Sequence, residues 1–219
     1  MPQETGKMIL ALLAFGLLHS LLAAIGIKAL FVTLMGQRGY LGLYRVFYNM
    51  VSGITLITIL AWGAAQPGEV IWQLDGLARL VFFAIQGIGM IGLLVSLLQI
   101  DTLRFLGIRQ ALAYFTGEPL PLPPEQMSLG GVYALVRHPL YFFSLLVLWC
   151  LPTMHAATLG FNIGSTLYFV FGSLLEERKL VKQFGEPYVV YQQRVSWMIP
   201  FAKFPVPRST SPTPPDSTE

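Results

Sequence analysis

The sequence predicts an all-α, polytopic membrane helical bundle of about five transmembrane helices plus a cytoplasmic amphipathic helix. Three observations carry this expectation. Only 11% of the 219 residues are charged, less than half of the roughly 25% usual in a soluble domain. The mean hydropathy is +0.62. Several apolar runs approach or exceed the roughly 20 residues that span a bilayer.

The elements follow in order. A first span is expected over about Met8–Leu34, too long for a typical signal peptide and without an A-x-A cleavage site, so it reads as a retained helix. A second is expected over about Tyr40–Ala65 and a third over about Leu77–Ile100. A fourth, about Pro139–Leu151, and a fifth, about His155–Leu175, form a tight pair around "LPTMH". The fourth is short for a span and has Pro152 as a breaker. Residues 175–197 read as an amphipathic helical segment outside the lipid, interrupted near "FGEPY". One domain is expected over 1–202. The Pro/Ser/Thr-rich stretch 203–219 reads as a disordered tail.

Basic residues orient the bundle. Arg38 and Arg45 flank the first connection, and Arg104, Arg109 and Arg137 lie in the third. Arg178, Lys179, Lys182, Arg194, Lys203 and Arg208 follow the last span. In a five-span topology these share one side, which the positive-inside rule makes cytoplasmic, with the N-terminus outside. A bacterial inner membrane suits this pattern. The single cysteine, Cys150, allows no intrachain disulfide, and no Cys/His spacing marks a metal. Dinucleotide and P-loop fingerprints are also missing, which argues against a hydrolase or a nucleotide-driven pump. Nothing calls for nucleic acid as a partner.

Three polar blocks share the cytoplasmic side: "DTLRFLGIRQALAY", "GGVYALVRHPLY" and "EERKLVKQFGEPYVVYQQRVSWMIP". His138 precedes Pro139 at a helix start, where free N–H groups and the dipole favour an anion. A neutral imidazole that hydrogen-bonds a ligand is expected there, with a structural cap as the alternative. Glu176 and Glu177 end the fifth span. They are either a solvated face or a pair with one carboxylate turned inward to hold a cation, an amine or a ribose diol. Tyr188, Tyr191 and Arg194 share one helical face and read as an interfacial anchor or a site. His19, deep in the first span, is an intramembrane polar residue that a helix–helix hydrogen bond would also explain. His155 has no assigned role.

"VRHPLY" followed by "LEERKLVKQFGEPYVVYQQRV…IP" resembles the signature of integral membrane methyltransferases, which include isoprenylcysteine carboxyl and phospholipid methyltransferases. "FLGIRQ", "VYALVRHPLY", "LWCLPTMHAATLGF" and "LEERKL" look like the methanethiol S-methyltransferase branch. "LLHSLLA" with "YRVFYN" is similar to NnrU-like membrane proteins. More distantly, sterol reductases are similar in the C-terminal part.

The resemblance implies an S-adenosylmethionine site on Arg137, His138, Pro139, Tyr141, Tyr133, Gln110, Glu176 and Glu177. It places Arg194 and Glu177 near the reacting centre. Tyr188, Tyr191 and Arg109 fall on the acceptor side. The acceptor implied is hydrophobic or lipid-like, a thiol or carboxylate entering from the membrane. Two departures stand out. Phe142 and Phe143 follow the tyrosine where a small residue is usual, which would narrow the pocket. Ser196 and Trp197 replace the usual Pro and Arg. The chemistry implied is methyl transfer from a sulfonium, which needs no metal. The protein's task is to position two reactants and exclude water. The accessory, non-catalytic reading of an NnrU-like protein stays open beside it.

Overall fold

The computed structural model describes residues 2–201; the stretch 203–219, read as a disordered tail, lies outside them. Helix α1 (Gln3–Ala23) runs from one end of the bundle to the other. Helix α2 (Ile25–Ala65) is broken at Gly36, whose φ of 70° is left-handed and suits a residue without Cβ. Beyond that kink the chain returns antiparallel to α1. The Tyr44 hydroxyl donates to the Leu22 carbonyl, and at the far end Gly63 sits against Met8. The expected first span, 8–34, is therefore corrected. The helix stops at Ala24, which is extended at ψ 150°. Lys28 then lies beyond the end of α1 instead of deep in lipid. The continuous apolar run hid the break.

Strand β1 (Val70–Gln73) pairs antiparallel with β2 (Thr153–His155). The expectation had only a tight turn at "LPTMH". Two segments from distant parts of the chain instead clasp one end of the bundle, the strand end. Ala156 and Ala157 donate backbone N–H groups to Glu69 and Pro67, and Leu74 donates to Pro152. Thr5 closes the same corner through its hydroxyl on the Ala156 carbonyl, 2.8 Å.

Helix α3 (Gly76–Leu98) crosses to the other end, the polar end. There the connecting segment folds into short helices: α4 (Thr102–Leu106), α5 (Ile108–Thr116) and α6 (Val132–Leu135). Helix α7 (Pro139–Trp149) returns to the strand end. Helix α8 (Ala156–Phe184) crosses last and continues past the expected limit at Leu175. The interruption falls at Gly185, φ 66°, before α9 (Glu186–Arg194). Among the described residues, four helices are long and apolar enough to cross a membrane, and α7 is a shorter apolar one.

Small residues set the helix spacing, as expected where lipid offers no hydrophobic drive between helices. A Cβ on Gly160 would lie 2.4 Å from the Thr5 carbonyl oxygen. A Cβ on Gly92 of α3 would lie 2.2 Å from the Phe143 ring. Phe143 thus fills a glycine recess on α3 and packs α7 against it. A buried apolar cluster joins Met8, Leu12, Phe15, Ile59, Ala157 and Phe161. Outside it, leucines and isoleucines face outward in bulk: Leu10, Leu77 and Leu98 are 66%, 77% and 74% exposed. Such a surface would be an association site in water, and hydrocarbon is its natural solvent. The chain is an integral membrane protein.

Candidate active site

Helix α7 begins with Pro139, whose fixed φ and missing N–H suit a first helical turn. The residues before it are held extended. Val136 bridges in parallel to Ser196. Arg137 N–H donates to the Ser196 carbonyl at 2.9 Å, and His138 N–H to the Trp197 carbonyl at 3.2 Å. The "RVSWMIP" stretch, which breaks the family pattern, thereby works through its backbone. It fixes the rotation at which Arg137 and His138 enter the bundle.

Both side chains meet Glu177 of α8. Arg137 Nε donates to Glu177 Oε1 at 3.0 Å, and His138 Nε2 stands 2.7 Å from the same oxygen. The Tyr188 hydroxyl donates to Oε1 at 2.9 Å, and Gln192 Nε2 donates to Oε2. Arg137 Nη1 adds bonds to the Gln192 and Val195 carbonyls at 3.0 and 2.7 Å. Glu177 is buried. An ion pair so buried needs its remaining lone pairs satisfied, and here they are. Adjacent positions on a helix point about 100° apart, so Glu176 faces differently. Its side chain is 46% exposed, with Oε2 3.5 Å from His138 Nδ1 and accepting from the Tyr141 hydroxyl at 3.1 Å. Tyr141 stacks on His138 at 5.5 Å between ring centroids.

The expected neutral imidazole is corrected by this geometry. Burial alone would lower the His138 pKa. The hydrogen bonds to Glu176 and Glu177, and their charges, outweigh it and raise the pKa above its ordinary value. The carboxylates, not the helix dipole, decide the protonation state. The two carboxylates together favour the protonated imidazole by more than burial disfavours it. Burial, then Glu176 and Glu125, push the Tyr133 phenol up to about 12. Burial and the Glu177 charge raise Tyr188 too.

The structure brings Arg137, His138, Tyr141, Glu176, Glu177 and Tyr188 into one network. Tyr191 joins through its hydroxyl on the Tyr133 carbonyl, 2.5 Å. Arg194 does not join it: the residue is exposed at the end of α9. Arg109 is exposed and paired with Asp101 at 2.8 Å. Gln110 belongs to a turn folded onto α2, where Arg45 and Asn49 donate to the Phe105 and Leu106 carbonyls. Its Nε2 donates to the Arg104 carbonyl, and its buried Oε1 has no partner. Gln192 was missed in the sequence. The signal was available, since it stands one residue after Tyr191 on the same short helix, but amides give no charge pattern to read.

What the arrangement can do follows from its free valences. Glu177 is spent on internal donors. Glu176 has room to accept from an ammonium or a diol, and the first-turn amides of α7 lack intrahelical acceptors. Anion and cation receptors therefore lie side by side at one end of a membrane bundle.

These features define a membrane helical bundle with a polar site at one end. The family model described as NnrU protein matches residues 7–175, and the chain belongs to that family. It is similar to the methanethiol S-methyltransferase of Crocosphaera subtropica, 32% identical over 85% of this chain and 71% of the relative. A second relative, methanethiol S-methyltransferase 2 of Bradyrhizobium diazoefficiens, is 30% identical over 91% and 76%. Nurim of Xenopus laevis is 26% identical over 72% of this chain and 55% of its own length. No solved structure matches.

Proposed function

We propose that the chain is an S-adenosylmethionine-dependent membrane methyltransferase. Its acceptor is a small thiol, or a lipid-like thiol or carboxylate, that enters from the membrane. The observation that carries the reading is the pairing of a saturated Glu177, locked to Arg137 and His138, with a half-open Glu176 held by His138 and Tyr141. The methyl donor carries an ammonium, a carboxylate and a ribose diol, and the residues present fit these groups. Glu176 suits the ammonium or the diol, and the first-turn amides of α7 suit the carboxylate. Tyr133 and the unpartnered Oε1 of Gln110 supply further polar contacts at the same end. When bound, the donor supplies an electrophilic methyl group activated by its own sulfonium charge. The chain's part is to fix Glu176 through Tyr141 and His138, and to keep water out with the aromatic wall of Tyr188 and Tyr191.

The relatives' names make methanethiol the first acceptor to test. The polar end is cytoplasmic in this reading, where the donor is found, and the N-terminus lies outside, in a bacterial inner membrane. Arg194 and Arg109 are surface cations that a bound acceptor would have to recruit.

The test is titration of detergent-purified protein with S-adenosylhomocysteine, beside Glu176→Ala and His138→Ala. Binding by the wild type, weakened in Glu176→Ala while that variant stays folded, supports the pocket. A folded wild type that binds nothing favours a second reading, the non-catalytic membrane scaffold. That alternative draws on the internal saturation of Glu177 and on the match to the NnrU family model.

A further inference from the structure

About one turn before the polar end of α1 lies a second polar cluster that the donor pocket does not use. His19 of α1 has both ring nitrogens engaged. Nδ1 stands 3.0 Å from the Ser52 hydroxyl, and Nε2 contacts the Tyr48 hydroxyl. The ring also lies 4.5 Å from the Tyr48 ring and 5.9 Å from Tyr168, centroid to centroid.

Helix–helix adhesion does not account for this set. One hydrogen bond would join α1 to α2. Of the other hydroxyls on α2, those of Thr33, Thr55 and Thr58 turn back onto carbonyls of their own helix, and that of Tyr44 already supplies a cross-helix bond to the Leu22 carbonyl of α1. Ser52 and Tyr48 instead both serve the imidazole. An ionisable group inside the lipid is costly to keep, and this one carries an orienting partner on one nitrogen and a hydroxyl on the other. That is the layout of a base held by a third group.

The cluster is also at the right depth. Helices α1 and α8 pack with a constant register: Met8 on Gly160, Leu12 on Gly164, Gly16 on Tyr168. The next step of four sets Ser20, beside His19, level with Gly172. Gly172 is where the Tyr141 hydroxyl comes within 4.0 Å of a would-be Cβ. That hydroxyl is bonded to Glu176. A run of rings connects the two sites: Tyr141 stacked on Phe169 at 5.0 Å, and Phe169 edge-on to Tyr168 at 6.3 Å.

Resting on the methyltransferase reading above, we propose that Tyr48, His19 and Ser52 form the acceptor site, a proton relay for a small apolar thiol arriving from the lipid. The thiol S–H proton passes to the Tyr48 oxygen as the Tyr48 proton passes to His19 Nε2. The freed sulfur electron pair forms the new S–CH3 bond. The bond between that methyl carbon and the donor sulfur breaks, its electron pair staying on that sulfur. Products are the methyl thioether, S-adenosylhomocysteine and a proton on His19, which Ser52 steadies by accepting from Nδ1–H. A thiol reacts as its thiolate and is mostly protonated near neutrality, so a base has work to do here.

The experiment compares wild type, His19→Gln and Tyr48→Phe with one alkyl thiol and one far more acidic aryl thiol. S-adenosylhomocysteine should bind all three proteins alike. With the alkyl thiol, kcat in both variants should fall by on the order of 10²–10⁴-fold. With the aryl thiol, already ionised, most of the rate should return. In protein saturated with S-adenosylhomocysteine, where no transfer can occur, the alkyl thiol should show thiolate absorbance in wild type and none in His19→Gln. Equal losses with both thiols, loss of S-adenosylhomocysteine binding, or an unchanged rate would each overturn the relay. Wild type that binds S-adenosylhomocysteine but methylates no thiol sinks the relay and leaves the donor pocket standing. Wild type that binds neither sinks both.

Discussion

Replacing Glu177 by Gln removes one charge from the most enclosed ion pair of the polar end. The neutral amide keeps the size of the side chain, and its Nε2 cannot accept from Gln192 Nε2. Arg137, 7% exposed at its side chain, then keeps its charge without a carboxylate. Removing one partner of a buried pair costs about 3–5 kcal/mol, because the other is left uncompensated. For a chain of this length that corresponds to a fall of about 6–20 °C in melting midpoint. Glu176→Gln is the matched control. Its side chain is 46% exposed, and pairs so open to solvent contribute about 0–1 kcal/mol. Thermal unfolding of both variants in the same detergent, followed by tryptophan fluorescence, reads the difference directly. If Glu177→Gln melted within a degree or two of Glu176→Gln, the network would not hold α7, α8 and α9 together, and the assignment of Glu177 as its centre would be wrong.

Three further outcomes follow from the same geometry. His138 binds its proton more tightly folded than unfolded, where its pKa is about 6.5; wild type should therefore lose stability as pH rises above about 6.5 and through the raised pKa, and His138→Gln should show a flatter profile in the same melts. Gly160→Ala forces a methyl group against the Thr5 carbonyl and should cost about 1–3 kcal/mol, whereas Gly53→Ala, with open space around its Cβ position, should be silent. Arg137→Lys keeps the charge but loses the fork that reaches Glu177, Gln192 and Val195 together, so limited proteolysis should cut the segment after Gly185 faster than in wild type.

Much of this architecture was legible because hydropathy reports lipid exposure directly. The third span and the start of the fourth at Pro139 fall within a residue or so of α3 and α7. What failed had no hydropathic mark. The break at Ala24 lies between apolar residues on both sides, and only Lys28 hinted at it. Strands β1 and β2 are short, distant in sequence and joined by backbone bonds, which no side-chain pattern records. At the site, charge made Arg137, His138, Glu176 and Glu177 conspicuous. The protonation of His138 was misjudged because the local dipole was visible in sequence and the long-range carboxylates were not. Ser196 and Trp197 looked like losses from a motif, yet their carbonyls hold Arg137 and His138 in place.

The polar network has a consequence for synthesis. A ribosome releases Arg137 forty residues before Glu177 and fifty-eight before Val195. Until α8 has threaded across the bilayer and the chain has doubled back along 192–198, Arg137 has neither its carboxylate partner nor its carbonyl acceptors. The bundle is thus inserted first and locked last, and its polar end is finished only once residues 192–198 have been made.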